Sequence, residues 1–348
     1  MPSRESSTDH VLTLAAPATG GLDATIVAAA CGALNALGAS VGVPLWLAPG
    51  EAADVAFSGV APVEADGKVV VGDIRPGGTV PEWCDPDVLR RLKRRSLAVL
   101  RNQIAPVEAE AAVGRALAGR ALDVHAGPAQ DRRKKLLVAD MDATIVEGET
   151  LDELARRAGK EREVAAITGR AMRGEIDFTQ ALEARVAMLA GLPERALDDT
   201  LAAIRLTPGA RALVRTMAAH GAYTLLVSGG DGRFTRRVKT MAGFDAELGN
   251  RFEVVDGRLT GRVQPPIVDR DAKRRALTET ARARGIPIEL TMAIGDGAND
   301  APMVRAAGLG VGFRPKPVLA EAAGAVIRHG DLRVALYFQG YRRDEFAD

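Results

Sequence analysis

At 348 residues, 47% of them hydrophobic, the chain is long enough for two or three domains with their own cores, and it carries a formal net charge of only +1. That balance gives no bulk case for nucleic acid or a membrane as partner, and no apolar run approaches membrane-spanning length. Two cysteines, Cys31 and Cys84, and four histidines make neither a disulfide framework nor a zinc site, so a cytoplasmic protein is expected.

Taken in order, residues 11–14 read as a strand, 22–37 as a helix stopped by Gly38, and 41–47 as a second strand. This βαβ-like start implies an N-terminal α+β module over residues 1–130. Within it Ala61-Pro62-Val63-Glu64-Ala65 recurs as Ala105-Pro106-Val107-Glu108-Ala109, and the bracketed segment, 62–105, reads as an insertion. That segment is expected to hold a strand at 68–74 and a basic amphipathic helix at 86–103, its cationic face solvated. A helix at 107–118, a strand at 122–124 and a polar linker at 127–133 follow.

The next stretch organises the rest. Leu136-Leu137-Val138-Ala139 is a short apolar run of the buried parallel-strand kind, and it ends in Asp140-Met141-Asp142. Ligands of open α/β sheets bind beyond the carboxyl ends of such strands, and two neighbouring carboxylates call for a cation or a shifted pKa. Thr150-x-x-Glu153 reads as a capping box opening a helical insert, with helices expected at 156–173, 178–189 and 193–204. Strands at 223–227, 288–294 and 310–313 alternate with helices at 208–221, 270–285, 303–308 and 319–324, and a hairpin turns at Asp256-Gly257. The alternation implies a Rossmann-like, doubly wound parallel sheet in an α/β core built from 131–150 and 207–348, with 151–206 as a helical cap.

Four separate elements then offer complementary chemistry: Asp140 with Asp142, Ser228-Gly229-Gly230, Lys273, and Gly295-Asp296-Gly297-Ala298-Asn299-Asp300. Cleaving a phosphate monoester needs a nucleophile, a proton donor for the leaving oxygen, a cation, and donors on the phosphoryl oxygens. Asp140 and Asp142 supply nucleophile and acid/base, Asp296 completes a hard oxygen shell suited to Mg²⁺, and Ser228 and Lys273 neutralise phosphate.

Taken together these motifs resemble those of the haloacid dehalogenase superfamily of phosphatases, in order and over about residues 131–345. Within it the chain is most similar to the phosphoserine phosphatases, by Glu149, by Phe178 and Arg185 seven residues apart, and by the tail from Gly340 to Phe346. The resemblance implies Mg²⁺-dependent hydrolysis of O-phospho-L-serine through an aspartyl-phosphate, as the last step of L-serine biosynthesis. Asp140 would be the nucleophile and Asp142 the proton donor. Glu149, Phe178, Arg185, Ser228, Gly229, Lys273 and Asn299 would hold the substrate. Asp140, the Asp142 backbone carbonyl and Asp296 would hold the metal, with Asp300 behind it. The N-terminal module looks like a degenerate ACT-type domain, through which a homodimer is expected. Ala143, where the family usually has serine, and Asp231, expected either to point outward or to weaken phosphate affinity, depart from the pattern. The competing readings are another phosphomonoesterase or phosphotransferase of the superfamily, and a catalytically quiet amino-acid-binding protein.

Overall fold

The structure is a computed structural model that describes residues 10–58, 104–172 and 175–348. The strand expected at 68–74, the basic helix at 86–103 and Cys84 lie outside the described residues.

The N-terminal part runs β1 (His10–Ala15), α1 (Ala24–Ala36), β2 (Ser40–Val41), β3 (Leu45–Ala48), β4 (Ala52–Ser58), α2 (Pro106–Ala116) and β5 (Asp123–Pro128). Its sheet has the order β2-β4-β1-β5, with β3 also on β4, and every pairing is antiparallel. The side chain of Asp23 starts α1 by accepting the Ile26 N–H at 2.9 Å, and Gly38, at φ +87°, ends the turn that follows it. One strand was expected over 41–47. Two form instead, because Pro44 lacks the N–H that a continuous ladder needs. Strand β4 escapes the hydrophobic pattern because a carboxylate, Asp54, sits at its centre.

Asp54 is 5% exposed, yet it is matched. It accepts Thr13 Oγ1 at 2.6 Å and Arg132 Nη1 at 2.6 Å, and the same guanidinium donates to the carbonyls of Tyr337 and Phe338. Nearby, the Asp123 carboxylate accepts the backbone N–H groups of Arg328, His329 and Gly330. The antiparallel sheet is therefore fastened to the C-terminal half by buried charged groups with specific partners.

That half is a seven-stranded sheet in the order β12-β11-β10-β6-β7-β8-β9. Its strands are β6 (Leu136–Asp140), β7 (Tyr223–Asp231), β8 (Ala246–Val255), β9 (Arg258–Gln264), β10 (Thr291–Gly295), β11 (Leu309–Phe313) and β12 (Ala325–Ile327). All pairings are parallel except the β8–β9 hairpin, which turns at Asp256 (φ +49°) and Gly257 (φ +70°). Side chains of β6 alternate between the two faces: Leu137 and Ala139 join one core cluster, Leu136 and Val138 the other. The chain leaves β6 for β7 on one side and returns through β10 on the other, so a switch point lies beyond the carboxyl end of β6.

Between β6 and β7 lie α3 (Thr150–Arg157), α4 (Glu161–Met172), α5 (Phe178–Ala187) and α6 (Arg195–Ala203). The single helix expected over 156–173 is broken at Gly159, whose φ of +67° helical backbone cannot adopt. The capping box expected at Thr150 is absent: Glu149 is the residue preceding α3, and Glu153 pairs with Arg156 and Arg157. The core helices are α7 (Ala210–Ala219), α8 (Gly232–Ala242), α9 (Arg270–Ala283), α10 (Ala301–Ala306), α11 (Pro317–Ala322) and α12 (Val334–Phe338). The strand expected from 288 begins only at Thr291, after a tight turn at 288–290. No helix among the described residues is long and apolar enough to cross a membrane.

The junction gives a direct prediction. Arg132→Ala leaves Asp54 buried with an uncompensated charge, and equilibrium unfolding should register a loss of about 3–5 kcal/mol. Arg132→Met with Asp54→Leu should recover part of that loss; a single-variant loss below ~1 kcal/mol would contradict the role assigned to the junction.

Candidate active site

Three adjacent parallel strands present their carboxyl ends at one level. In the register of the sheet Asp140 lies opposite Val227, one residue before Ser228, and Ala139 lies opposite Ile294, two before Asp296. The sheet thus assembles groups that are 88 and 156 positions away from Asp140 in the chain.

Asp140 is 4% exposed and its Oδ1 meets Lys273 Nζ at 2.5 Å. Lys273 also reaches Asp300 Oδ1 at 2.7 Å. Its neighbours Arg274 and Arg275 face solvent, but Lys273 is 1% exposed and points inward from the first turn of α9. The positive end of a helix disfavours a cation, so the two carboxylates must hold it there. Burial alone would push the Lys273 ammonium down; Asp140 and Asp300 outweigh it and hold the group above the ordinary lysine range. Burial, and then the charge of Asp300, raise the Asp140 carboxyl well above its usual value, with Lys273 opposing them.

Asp142 lies just past the strand, in a sharp turn in which Ala143 takes a left-handed φ of +51°. One oxygen of Asp142 accepts the Thr150 N–H at 2.7 Å and the other accepts Ser228 Oγ at 2.9 Å. Ser228 Oγ in turn accepts the Gly230 N–H at 2.9 Å, which folds the Ser228-Gly229-Gly230 segment back on itself. Asn250 fixes that segment from behind: its side chain donates to the Gly229 carbonyl and accepts the Val268 N–H. Asp231, expected either to point outward or to weaken phosphate affinity, is turned into the protein. It is 3% exposed, accepts the N–H groups of Arg233 and Phe252, and so faces away from the crevice as the cap of α8.

The loop after β10 is equally constrained. A Cβ on Gly295 would come 2.5 Å from Asp300 Cγ, so only glycine admits Asp300 at this depth. Asp300 is fully buried, accepts the Gly297 N–H at 3.1 Å, and lies within reach of the Asn299 amide at 3.3 Å. Asp140, Asp296 and Asp300 each bring a carboxylate oxygen within 4.8 Å of the others. Burial lifts the Asp296 carboxyl as well, against the pull of Lys316. Three crowded carboxylates, with those of Asp140 and Asp296 raised by burial, are a donor set that suits a hard divalent ion.

The cap contributes the remaining candidates. Glu149 sits in front of α3, near Asp142, and burial followed by the Asp142 charge pushes its carboxyl up to about 7. Arg185, on α5, is close enough to Glu149 to lower that value, but its guanidinium is paired with Asp152 at 3.2 Å and its Nε is buried without a partner. Phe178 lies over the Ser228-Gly229-Gly230 segment: a Cβ on Gly229 would come 3.2 Å from its Cζ. Sequence reasoning missed Lys316, whose Nζ stands 2.9 Å from Asp296 and 3.6 Å from Glu149. It sits between two prolines in a stretch with no motif, so its only signal was a basic residue shortly after the β11 strand.

Residues 137–305 match the model of the haloacid dehalogenase-like hydrolases. The phosphoserine phosphatase of Streptomyces coelicolor is 45% identical over 248 residues, which is 71% of this chain and 60% of that protein. The chain thus spans less than two thirds of that relative's length. The phosphoserine phosphatase of Streptococcus thermophilus is 45% identical over 199 residues, 57% of this chain and 93% of that protein. A solved structure described as a phospho-aspartyl intermediate analogue of phosphoserine phosphatase is 40% identical with a TM-score of 0.56, covering 59% of this chain and 99% of its own. The chain belongs to the haloacid dehalogenase-like hydrolases and, within them, to the phosphoserine phosphatase family.

Proposed function

We propose that the chain is a cytoplasmic, Mg²⁺-dependent phosphoserine phosphatase that releases L-serine and phosphate, the last step of L-serine biosynthesis. The observation that carries this reading is the crevice at the end of β6. There one buried carboxylate, Asp140, is held by an ammonium, while a second, Asp142, is hydrogen-bonded to Ser228.

In this reading the Asp140 carboxylate attacks phosphorus in line and the P–O bond to serine breaks, with Asp142 delivering the proton to the departing oxygen. Asp142 then takes a proton from the water that attacks the aspartyl-phosphate, which frees phosphate and restores both carboxyls. Ser228, the Gly229 backbone, Lys273 and Asn299 hold the phosphoryl oxygens. Bound Mg²⁺ would neutralise charge on those oxygens, with Asp140, the Asp142 backbone carbonyl and Asp296 holding it and Asp300 orienting its water. At the other end Glu149 takes the substrate ammonium. Arg185 takes the carboxylate, exchanging Asp152 for substrate, and Phe178 closes the apolar side.

The same reading divides the chain into an ACT-like module (1–130, with the insertion at 62–105), a core (131–150 and 207–348) and a cap (151–206). The split β-α-β order of the first sheet supports the module. Exposed apolar side chains at Val43, Leu45 and Trp46 support pairing of two copies through it.

Two outcomes test the reading. With Mg²⁺, the wild type should release phosphate from O-phospho-L-serine, and Asp140→Asn should lose about 10⁴-fold or more in kcat while still unfolding in one cooperative transition. Wild-type inertness toward phosphoserine with brisk turnover of a sugar phosphate would overturn the substrate. The second outcome is a pH dependence. Glu149 binds an ammonium only as a carboxylate, so KM for phosphoserine should fall as pH rises through about 7. Glu149→Gln should raise KM by roughly 10–100-fold and flatten that dependence; a variant that keeps the wild-type pH profile would remove Glu149 from substrate binding.

A further inference from the structure

Among the described residues, Lys316 is a cation of the crevice that the proposed chemistry does not use. Its backbone is fixed: Pro315 and Pro317 flank it, its N–H donates to the Asp296 carbonyl at 2.9 Å, and its own carbonyl accepts the N–H groups of Leu319 and Ala320 in α11. Its side chain is not fixed in the same way. It is 43% exposed and reaches back to the same residue, placing Nζ 2.9 Å from Asp296 Oδ2 and 3.6 Å from Glu149 Oε1. One ammonium therefore bridges a carboxylate of the acidic trio and the carboxylate at the amino-acid end.

We propose that Lys316 is a tethered counter-cation that competes with a divalent metal ion for Asp296 and with the substrate ammonium for Glu149. The inference rests on the reading of Asp296 as a metal-holding carboxylate. Before a divalent ion binds, the ammonium would relieve repulsion between acids that Lys273 alone does not balance. When a divalent ion joins Asp140, Asp296 and Asp300, like charge disfavours an ammonium on the same carboxylate. A substrate ammonium at Glu149 disfavours it from the other side. The lysine stem is flexible and the group is half in solvent, so the head can swing away at small cost. The competition lowers the affinity of the site for metal, and it links the two ends of the site through one displaceable charge.

Calorimetric titration of the full-length, metal-free protein with Mg²⁺ tests this without recourse to turnover. Lys316→Met should bind Mg²⁺ roughly tenfold more tightly than the wild type. Its melting temperature should also rise more on Mg²⁺ addition. Lys316→Gln should behave the same way, which separates loss of charge from a packing effect of methionine. Unchanged or weaker Mg²⁺ binding in both variants would overturn the proposal. Asp296→Asn is the control for the underlying reading: its loss of Mg²⁺ binding shows the metal at Asp296. Wild-type affinity in Asp296→Asn would instead overturn both the metal assignment and the role of Lys316.

Discussion

Lys273 holds its ammonium 2.5 Å from Asp140 and 2.7 Å from Asp300, with 1% of its surface exposed. A charge that deep is tolerable only with close partners, and each partner is itself buried, so the three groups stand or fall together. The same contact decides much of the surrounding backbone. It requires α9 to bring its first turn against the end of β6, and it requires Gly295 to make room for Asp300. It also leaves Asp140 buried and crowded among acids, and burial first, then the Asp300 charge, raises its carboxyl well above the usual range although an ammonium touches it. On the proposed reading that crowding is useful, because a metal ion and a phosphoryl group bring the missing positive charge and hydrogen-bonding partners.

Much of this was legible in the sequence, for a physical reason. A strand buried on both faces must be apolar throughout, so the abrupt change from Ala139 to Asp140 marks where the strand meets solvent or a ligand. Ser228 and Asp296 end apolar runs in the same manner, and strand register then leaves them few places to be except beside Asp140. Lys273 was harder, since a run of three basic residues on a helix usually faces water; only the carboxylates opposite it select Lys273 over Arg274 and Arg275. Lys316 was not legible at all. Its position follows from a backbone hydrogen bond to Asp296 and two prolines, not from any periodic pattern.

Some of the misses have one cause, namely polar side chains satisfied by partners that only the folded chain supplies. Asp231 looked like an intrusive charge beside a phosphate, and it caps a helix and ties down Phe252 instead. Asp54 hid a strand because a carboxylate in mid-strand argues against burial, and Thr13 and Arg132 reverse that argument. Asp123 likewise joins the first sheet to the backbone at 328–330. Such groups read as surface when taken singly, and as interior only once both halves of the chain are folded against each other.

The central claim, that Asp140 carries the phosphoryl group, is tested most directly by trapping. Protein turning over radiolabelled O-phospho-L-serine in the presence of Mg²⁺ is quenched in acid, digested and mapped by mass spectrometry. The account predicts a hydroxylamine-labile phosphoryl label on the peptide containing Asp140, absent from Asp140→Asn. Phosphate release with no label at Asp140, or with the label on another residue, would contradict it.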